Sequence, residues 1–388
     1  MKKETLIDNN FAPDFHYPVY FTENVFDHSS DLLCNVFNRL DEGRRHRVVA
    51  YVDSGLAAAQ PSLVNDIREY AHTHAASFEL ATEPIIFPGG AAAKNEITLI
   101  KDIIFTLGNL HIDRQSFVLA IGGGSMLDAV GFGASILHRG VRLVRMPTTV
   151  LAQSDGGVGV KTGIDHHGQK NFLGTFAPPF AVINDIAMLS TLPKRERIAG
   201  LAEIAKVAII RDSSLFTFLE ENYEKLVAGE PDALRVAVER GAALHLHQIT
   251  KGGDPFELGS ARPLDFGHWA GHRLEILSGH AINQGEGVGV GMALDTIYAQ
   301  LAGILDAKDS ERIVSLIKKL QLPVYLPELE RTRNDGTLEL LAGLENFREH
   351  LGGLLCVTLP TEIGKTIEVN SMDESLIQKA IVKAREYK

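Results

Sequence analysis

The run Phe117–Asp128 (FVLAIGGGSMLD) constrains the fold more than any other part of the chain. Five apolar residues, three glycines and a serine lead straight into a helix-like pattern. A strand apolar on both faces has to be covered on both sides, as in a parallel sheet flanked by helices. The glycines let backbone approach a ligand closely, and the helix N-terminus presents N–H donors and a favourable dipole to a pyrophosphate. The run differs from the usual G-x-G-x-x-G, and a glycine triplet also serves as a plain strand-to-helix turn. Asp53 ends an earlier strand-like run (VAYVD), where a carboxylate can accept a bond from an adenosine ribose.

The flanking periodicities agree with this plan. Arg47–Val52, Phe117–Ile121 and Val141–Met146 read as buried strands; Ser62–His74, Leu99–Leu107 and Ser125–Leu137 read as helices. From about Pro193 onward helical periods take over: Glu196–Ile210, Pro231–Gln248, His268–Leu277, Gly287–Ala302 and Asp309–Lys319. The expected architecture is therefore a Rossmann-like α/β domain over residues 1–188 followed by a mainly α-helical domain over 189–388. With 388 residues the chain is long enough for two cores. A net charge of −11 argues against a nucleic-acid surface or an anionic membrane, and no stretch of about 18 apolar residues offers a membrane span. Cys34 and Cys356 form no framework or metal-type spacing, which suits a reducing cytoplasm.

Three regions carry candidate chemistry. Met146–Phe172 gathers Thr148, Thr149, Gln153, Asp155, Lys161, Lys170 and Asn171 in a stretch too apolar and glycine-rich for a plain surface loop. Lysines, an asparagine and flanking glycines suit a phosphate, which takes point charges and close backbone donors. Glu203 and Lys206 share one face of an apolar helix (IAGLAEIAKVAII), where burial requires a partner or a ligand. In Asp265–Glu275 (DFGHWAGHRLE), His268 and His272 project from one helical face, and with a glutamate they are compatible with Zn²⁺.

Taken together, GGGSMLD, HRG, MPTTVLAQSD, GVKTGID, QKN, LAEIAK, DFGHWAGH and QGEGVGVGM occur in the order and spacing of dehydroquinate synthase and its sugar phosphate cyclase relatives, which the chain resembles over most of its length. The resemblance implies an NAD-binding α/β domain, a helical metal-binding domain and an active site in the cleft between them. By position, Asp53, Lys94, Gly123, Gly124, Ser125, Asp128, Thr148, Thr149 and Lys161 fall near NAD. Asp155, Lys161, Lys170, Asn171 and Lys206 fall on substrate positions, and Arg348 is placed with them. Arg139 matches an arginine that reaches the phosphate of a neighbouring subunit, implying a homodimer. Glu203 and His268 match two ligands of a divalent metal, Zn or Co, and His272 a histidine that handles protons. The third ligand, a histidine in the family, is Gln284 here, and a glutamate three residues before Lys94 is Ala91.

Counting back from His268, the two cations that hold a heptulosonate carboxylate fall on His247 and Ala261, with Arg262 displaced by one residue; the asparagine of the family's L-N-F-G-H is Asp265. This pattern resembles the sedoheptulose 7-phosphate cyclases, most of all 2-epi-valiolone synthase, and Asp265 and His272 become catalytic candidates beside Asp155, Lys161 and Lys206. A 3-dehydroquinate synthase is the alternative. A metal-dependent polyol dehydrogenase shares the GGGS-x-x-D turn but has no use for the QKN segment, and a non-catalytic descendant would bind no metal.

Overall fold

The computed structural model describes residues 7–10, 14–167, 169–252, 256, 263–350 and 353–388, with backbone alone at 169 and 350. The first half runs β1 (Val19–Thr22), α1 (Leu32–Phe37), β2 (His46–Asp53), α2 (Ser54–Ala59), α3 (Leu63–Thr73), β3 (Phe78–Leu80), β4 (Ile85–Phe87), α4 (Ala91–Asn95), α5 (Ile97–Asn109), β5 (Phe117–Gly122), α6 (Gly124–Ile136), β6 (Arg142–Pro147), β7 (Lys161–His166), β8 (Gln169–Phe176) and β9 (Ala181–Asp185). The second half runs α7 (Lys194–Arg211), α8 (Ser213–Ala228), α9 (Pro231–Lys251), α10 (His268–Leu277), α11 (Gln284–Leu301), α12 (Ala307–Lys319), α13 (Ala342–His350), β10 (Val357–Glu362), β11 (Lys365–Val369) and α14 (Glu374–Glu386).

Seven strands form one parallel sheet in the order β1-β9-β6-β5-β2-β3, with β4 also on β2. Its two faces are both apolar, as the buried strands require. Val48, Ala50 and Val52 pack with Leu119 and Ile121 against α1 and α3, while Val49, Tyr51, Val118 and Ala120 pack against α5 and α6. The glycine turn lies at the C-terminal ends of the central strands, where open α/β sheets bind ligands. The hairpin β7–β8 stands apart from the sheet as an antiparallel pair.

In the helical half a separate core surrounds α7 and α11. Glycines bring α11 against its neighbours backbone to backbone. A Cβ on Gly285 would lie 2.0 Å from Ala199 O, and one on Gly291 would lie 1.9 Å from Gly267 O. At α10 an adjacent buried carboxylate, Asp295 of α11, accepts from Trp269 Nε1 at 2.8 Å and from Gly267 N at 3.1 Å. No helix among the described residues is long and apolar enough to cross a membrane.

Candidate active site

The β5–α6 turn has the shape a dinucleotide needs. Gly123 caps α6 with φ −74° and ψ 167°, and a Cβ on Gly124 would meet nothing within 4 Å, so the space above the helix N-terminus is open. Asp53 stands across it. Gly89 and Gly122 make room for this side chain: their Cβ atoms would come within 2.4 Å of Asp53 Oδ2 and 2.9 Å of Asp53 Cβ. Asp53 also caps α2, and both bonds, from Gly55 N at 2.8 Å and Leu56 N at 3.2 Å, use Oδ1. Thr148 N donates to Gly122 O at 3.0 Å, and Thr149 Oγ1 accepts from Ala152 N at 3.1 Å, which ties the loop after β6 to this turn. Ser125 and Asp128 lie half-buried in the first turns of α6. Lys94 links Asp128, at 2.7 Å, to Asn171 Oδ1 on the hairpin, at 2.6 Å. The open helix N-terminus with a carboxylate opposite fits an NAD-type dinucleotide.

Asp155 comes next along the chain, in a π-helical turn at Ala152–Gly156, an irregularity that often marks function. It faces α7 and α9: its carboxylate lies 3.7 Å from Lys206 Nζ and 3.0 Å from His245 Nδ1. Burial opposes its charge, but His245 and Lys206 outweigh burial and hold Asp155 well below the usual carboxylate range. Lys206 is fully buried and also pairs with Glu203, one turn earlier on α7. Burial works against its ammonium, yet Glu203 and Asp155, with a contribution from Asp265, raise its pKa.

Glu203, His268 and Gln284 converge from three helices. His268 Nε2 is 3.6 Å from Glu203 Oε1, and Gln284 Nε2 is 3.5 Å from the same oxygen. Burial raises the Glu203 carboxyl to about 8, with Lys206 opposing and Asp155 adding. His268 is driven well below its usual range by burial, then by Lys206 and His272, so its imidazole is neutral. Its Nδ1 lies 3.1 Å from Phe266 O, which can only accept; that nitrogen therefore carries the hydrogen and leaves a lone pair on Nε2 toward Glu203. A carboxyl, an imidazole lone pair and an amide fit a divalent cation with N/O ligands. Among the described residues no three His, Cys, Asp or Glu side chains are arranged so that they could hold a metal ion by themselves; the third group beside Glu203 and His268 is the amide of Gln284.

Beside this set stand further expected residues. His272 lies one turn along α10, its ring perpendicular to His268 at 5.2 Å between centroids. Asp265 sits in the 3-10 turn Pro263–Asp265 that leads into α10. Lys161 opens β7, and Lys170 and Asn171 follow on β8. Lys170 Nζ reaches Glu275 of α10 at 2.6 Å, joining the hairpin to the helical half. Arg139 is exposed in a left-handed turn (φ 66°) after α6.

Three expectations fare differently. His247 is exposed on α9, and the histidine that reaches Asp155 is His245. Two residues along a helix turn a side chain by about 200°, so the spacing count named the wrong face. Arg348 lies half-exposed on α13 by Glu345, at 3.5 Å, and makes no contact with the Glu203–Lys206 cluster among the described residues. Arg262, with Ala261, lies outside the described residues.

Comparison with known proteins agrees with this geometry. The 3-dehydroquinate synthase N-terminal family matches residues 84–199, and the 3-dehydroquinate synthase C-terminal family matches residues 200–342. The chain belongs to the 3-dehydroquinate synthase family. It is a sugar phosphate cyclase of that family, a lyase-type enzyme. Among relatives, it is 35% identical to the 2-epi-valiolone synthase of Actinosynnema mirum over 329 residues, covering 83% of this chain and 85% of the relative. It is 37% identical to the 3-dehydroquinate synthase of Geotalea uraniireducens over 312 residues, covering 80% and 82%. The fold matches a 2-epi-5-epi-valiolone synthase from Streptomyces hygroscopicus, solved with NAD+ and Zn2+ bound, with a TM-score of 0.85 at 26% identity, covering 98% of this chain and 100% of that one.

Proposed function

We propose that this cyclase converts sedoheptulose 7-phosphate to a valiolone-type C7 cyclitol, using NAD and a divalent metal, zinc or cobalt, as catalytic cofactors. The observation that carries the substrate assignment is Asp265, which stands in the turn before α10 where the family motif has an asparagine. It is close enough to the buried Lys206 to help raise that ammonium's pKa, and Lys206 itself is already engaged by Asp155 and Glu203. A substrate carboxylate beside Asp265 meets like charge and loses its hydration, at a cost of several kcal/mol unless a further cation accompanies it. A hydroxymethyl group instead donates to the Asp265 oxygens.

Glu203, His268 and Gln284 would hold the metal, while Asp53 and the Gly122–Asp128 turn would hold NAD. When bound, these groups supply Lewis acidity and a reversible hydride acceptor, so the reaction has no net redox change. Lys206 orients the hydroxyl that is oxidised and restored. Asp155, kept charged, accepts from a neighbouring hydroxyl. The ketone formed on the sugar acidifies the adjacent C–H; that proton leaves, and phosphate departs with the electron pair of its C–O bond. His272 serves proton transfer beside His268, and Asp265 orients the ring-opened chain for the aldol closure. Lys161, Lys170 and Asn171 bind the phosphate, with Lys94 fixing the Asn171 amide. Arg139 reaches the phosphate of a second subunit in a homodimer. Cys34 and Cys356, which form no disulfide, fit a cytoplasmic enzyme.

A second reading, 3-dehydroquinate synthase, rests on relatives of that name at similar identity. Phosphate release and product NMR with NAD+ and metal separate the two. The proposal expects turnover of sedoheptulose 7-phosphate and negligible turnover of the heptulosonate phosphate; the opposite ranking overturns it.

A further inference from the structure

Arg145 lies in the middle of β6, in the central sheet, and is fully buried. Among the described residues no carboxylate lies within ion-pair range of it. A buried guanidinium is unfavourable unless its donors are used. Its donors go to one segment: Nη1 to Gly157 O at 3.4 Å and Gly159 O at 2.9 Å, and Nη2 to Lys161 O at 2.8 Å. Nε has no partner.

That segment links the π-turn carrying Asp155 to the start of β7 at Lys161, and Gly157–Val160 has no regular secondary structure. Its carbonyls therefore need partners from elsewhere. Tyr17 Oη donates to Val158 O at 2.9 Å, and Ala177 N donates to Val160 O at 2.7 Å. Five consecutive carbonyls, 157 to 161, are thus satisfied, three of them by Arg145. Arg145 suits this task because a rigid fork spans acceptors that a lysine, as a single point, cannot span together. Burial lowers its pKa, while Asp128 and Tyr17 oppose that shift.

We infer that Arg145 is a positioning residue that sets the separation and aim of Asp155 and Lys161 without touching substrate. The inference rests on the proposed roles of those two residues. A misplacement of about 1 Å at a catalytic group can cost roughly a hundredfold in rate. Arg145→Met is therefore expected to lower kcat about a hundredfold, with NAD+ affinity and metal content within about threefold of the parent. Amide hydrogen exchange over residues 157–161 should accelerate at least tenfold, a readout independent of turnover. Arg145→Lys keeps the charge and part of the donor set, so its kcat and exchange rates should fall between the parent and Arg145→Met; it also serves where the methionine variant does not fold. Tyr17→Phe should have a smaller effect on both readouts. Unchanged exchange and kcat within threefold in the lysine and methionine variants overturn the positioning role. A parent enzyme that releases no phosphate from either seven-carbon phosphate overturns the functional reading instead, and the exchange measurement still tests Arg145.

Discussion

The spacing of the proposed metal ligands is set by backbone contact, and Gly291→Ala tests this directly. The added methyl would lie 1.9 Å from Gly267 O, whereas a carbon–oxygen contact needs about 3.3 Å. Neither atom belongs to a side chain that can rotate, so α10 and α11 must separate by roughly 1.4 Å, the difference between these distances. Overpacking of this kind costs about 1–3 kcal/mol. The shift also stretches the bonds from Gly267 N and Trp269 Nε1 to Asp295, each worth about 1 kcal/mol. The expected loss is about 3 kcal/mol. His268 follows Gly267 directly and moves with it, whereas metal–ligand distances tolerate only about 0.2 Å; a fall in metal affinity of 10- to 100-fold is expected, comparable to loss of a supporting partner of a ligand. Urea denaturation and metal titration measure the two effects. Gly108→Ala on α5 is the control: its Cβ meets nothing within 4 Å, and the change should stabilise by up to about 1 kcal/mol. A Gly291→Ala protein within about 1 kcal/mol of the parent, binding metal equally well, would refute the reasoning.

Three further outcomes are expected. Glu203→Ala should lose both metal and turnover in metal analysis after mild chelation, whereas Gln284→His should bind metal more tightly by replacing a weak amide ligand with an imidazole. NADP⁺ should bind much more weakly than NAD⁺ by calorimetry, because its 2′-phosphate would face Asp53; equal affinities would count against that placement. Burial raises the Asp295 carboxyl to about 7, with Trp269 and Gly267 opposing. The folded protein then keeps a proton that the unfolded chain releases between roughly pH 4 and 7, so this group makes stability fall as pH rises through that window. Denaturation midpoints from pH 5 to 8 should show that fall in the parent, and Asp295→Asn should flatten it.

Much of this was legible because periodicity reports burial. Helix α10 spans His268–Leu277, as its pattern indicated, and β5 and β6 match to within a residue. The strands β1 and β9, of four and five residues, are too short to show a period. The hairpin β7–β8 was hidden because its lysines and asparagine read as a binding segment rather than as alternating faces. Motif order located Glu203, His268 and Gln284, and the structure brings them together. His245 was missed because counting residues does not fix the phase of a helix. Arg145 did leave a signal, a charged residue between the apolar Val144 and Met146 of a central strand, but its acceptors are loop carbonyls that no side-chain pattern encodes.

Asp53 binds its own helix through Oδ1, and the carboxylate is also the group proposed to select the cofactor. Any mutational route toward NADP⁺ that begins by removing this acid also removes an N-cap, worth about 1 kcal/mol. Serine or asparagine could still cap α2 without the negative charge, whereas alanine could not. Cofactor preference and domain stability are thus inherited through one codon, and natural or laboratory drift between the two nucleotides is funnelled through the few residues that can still cap.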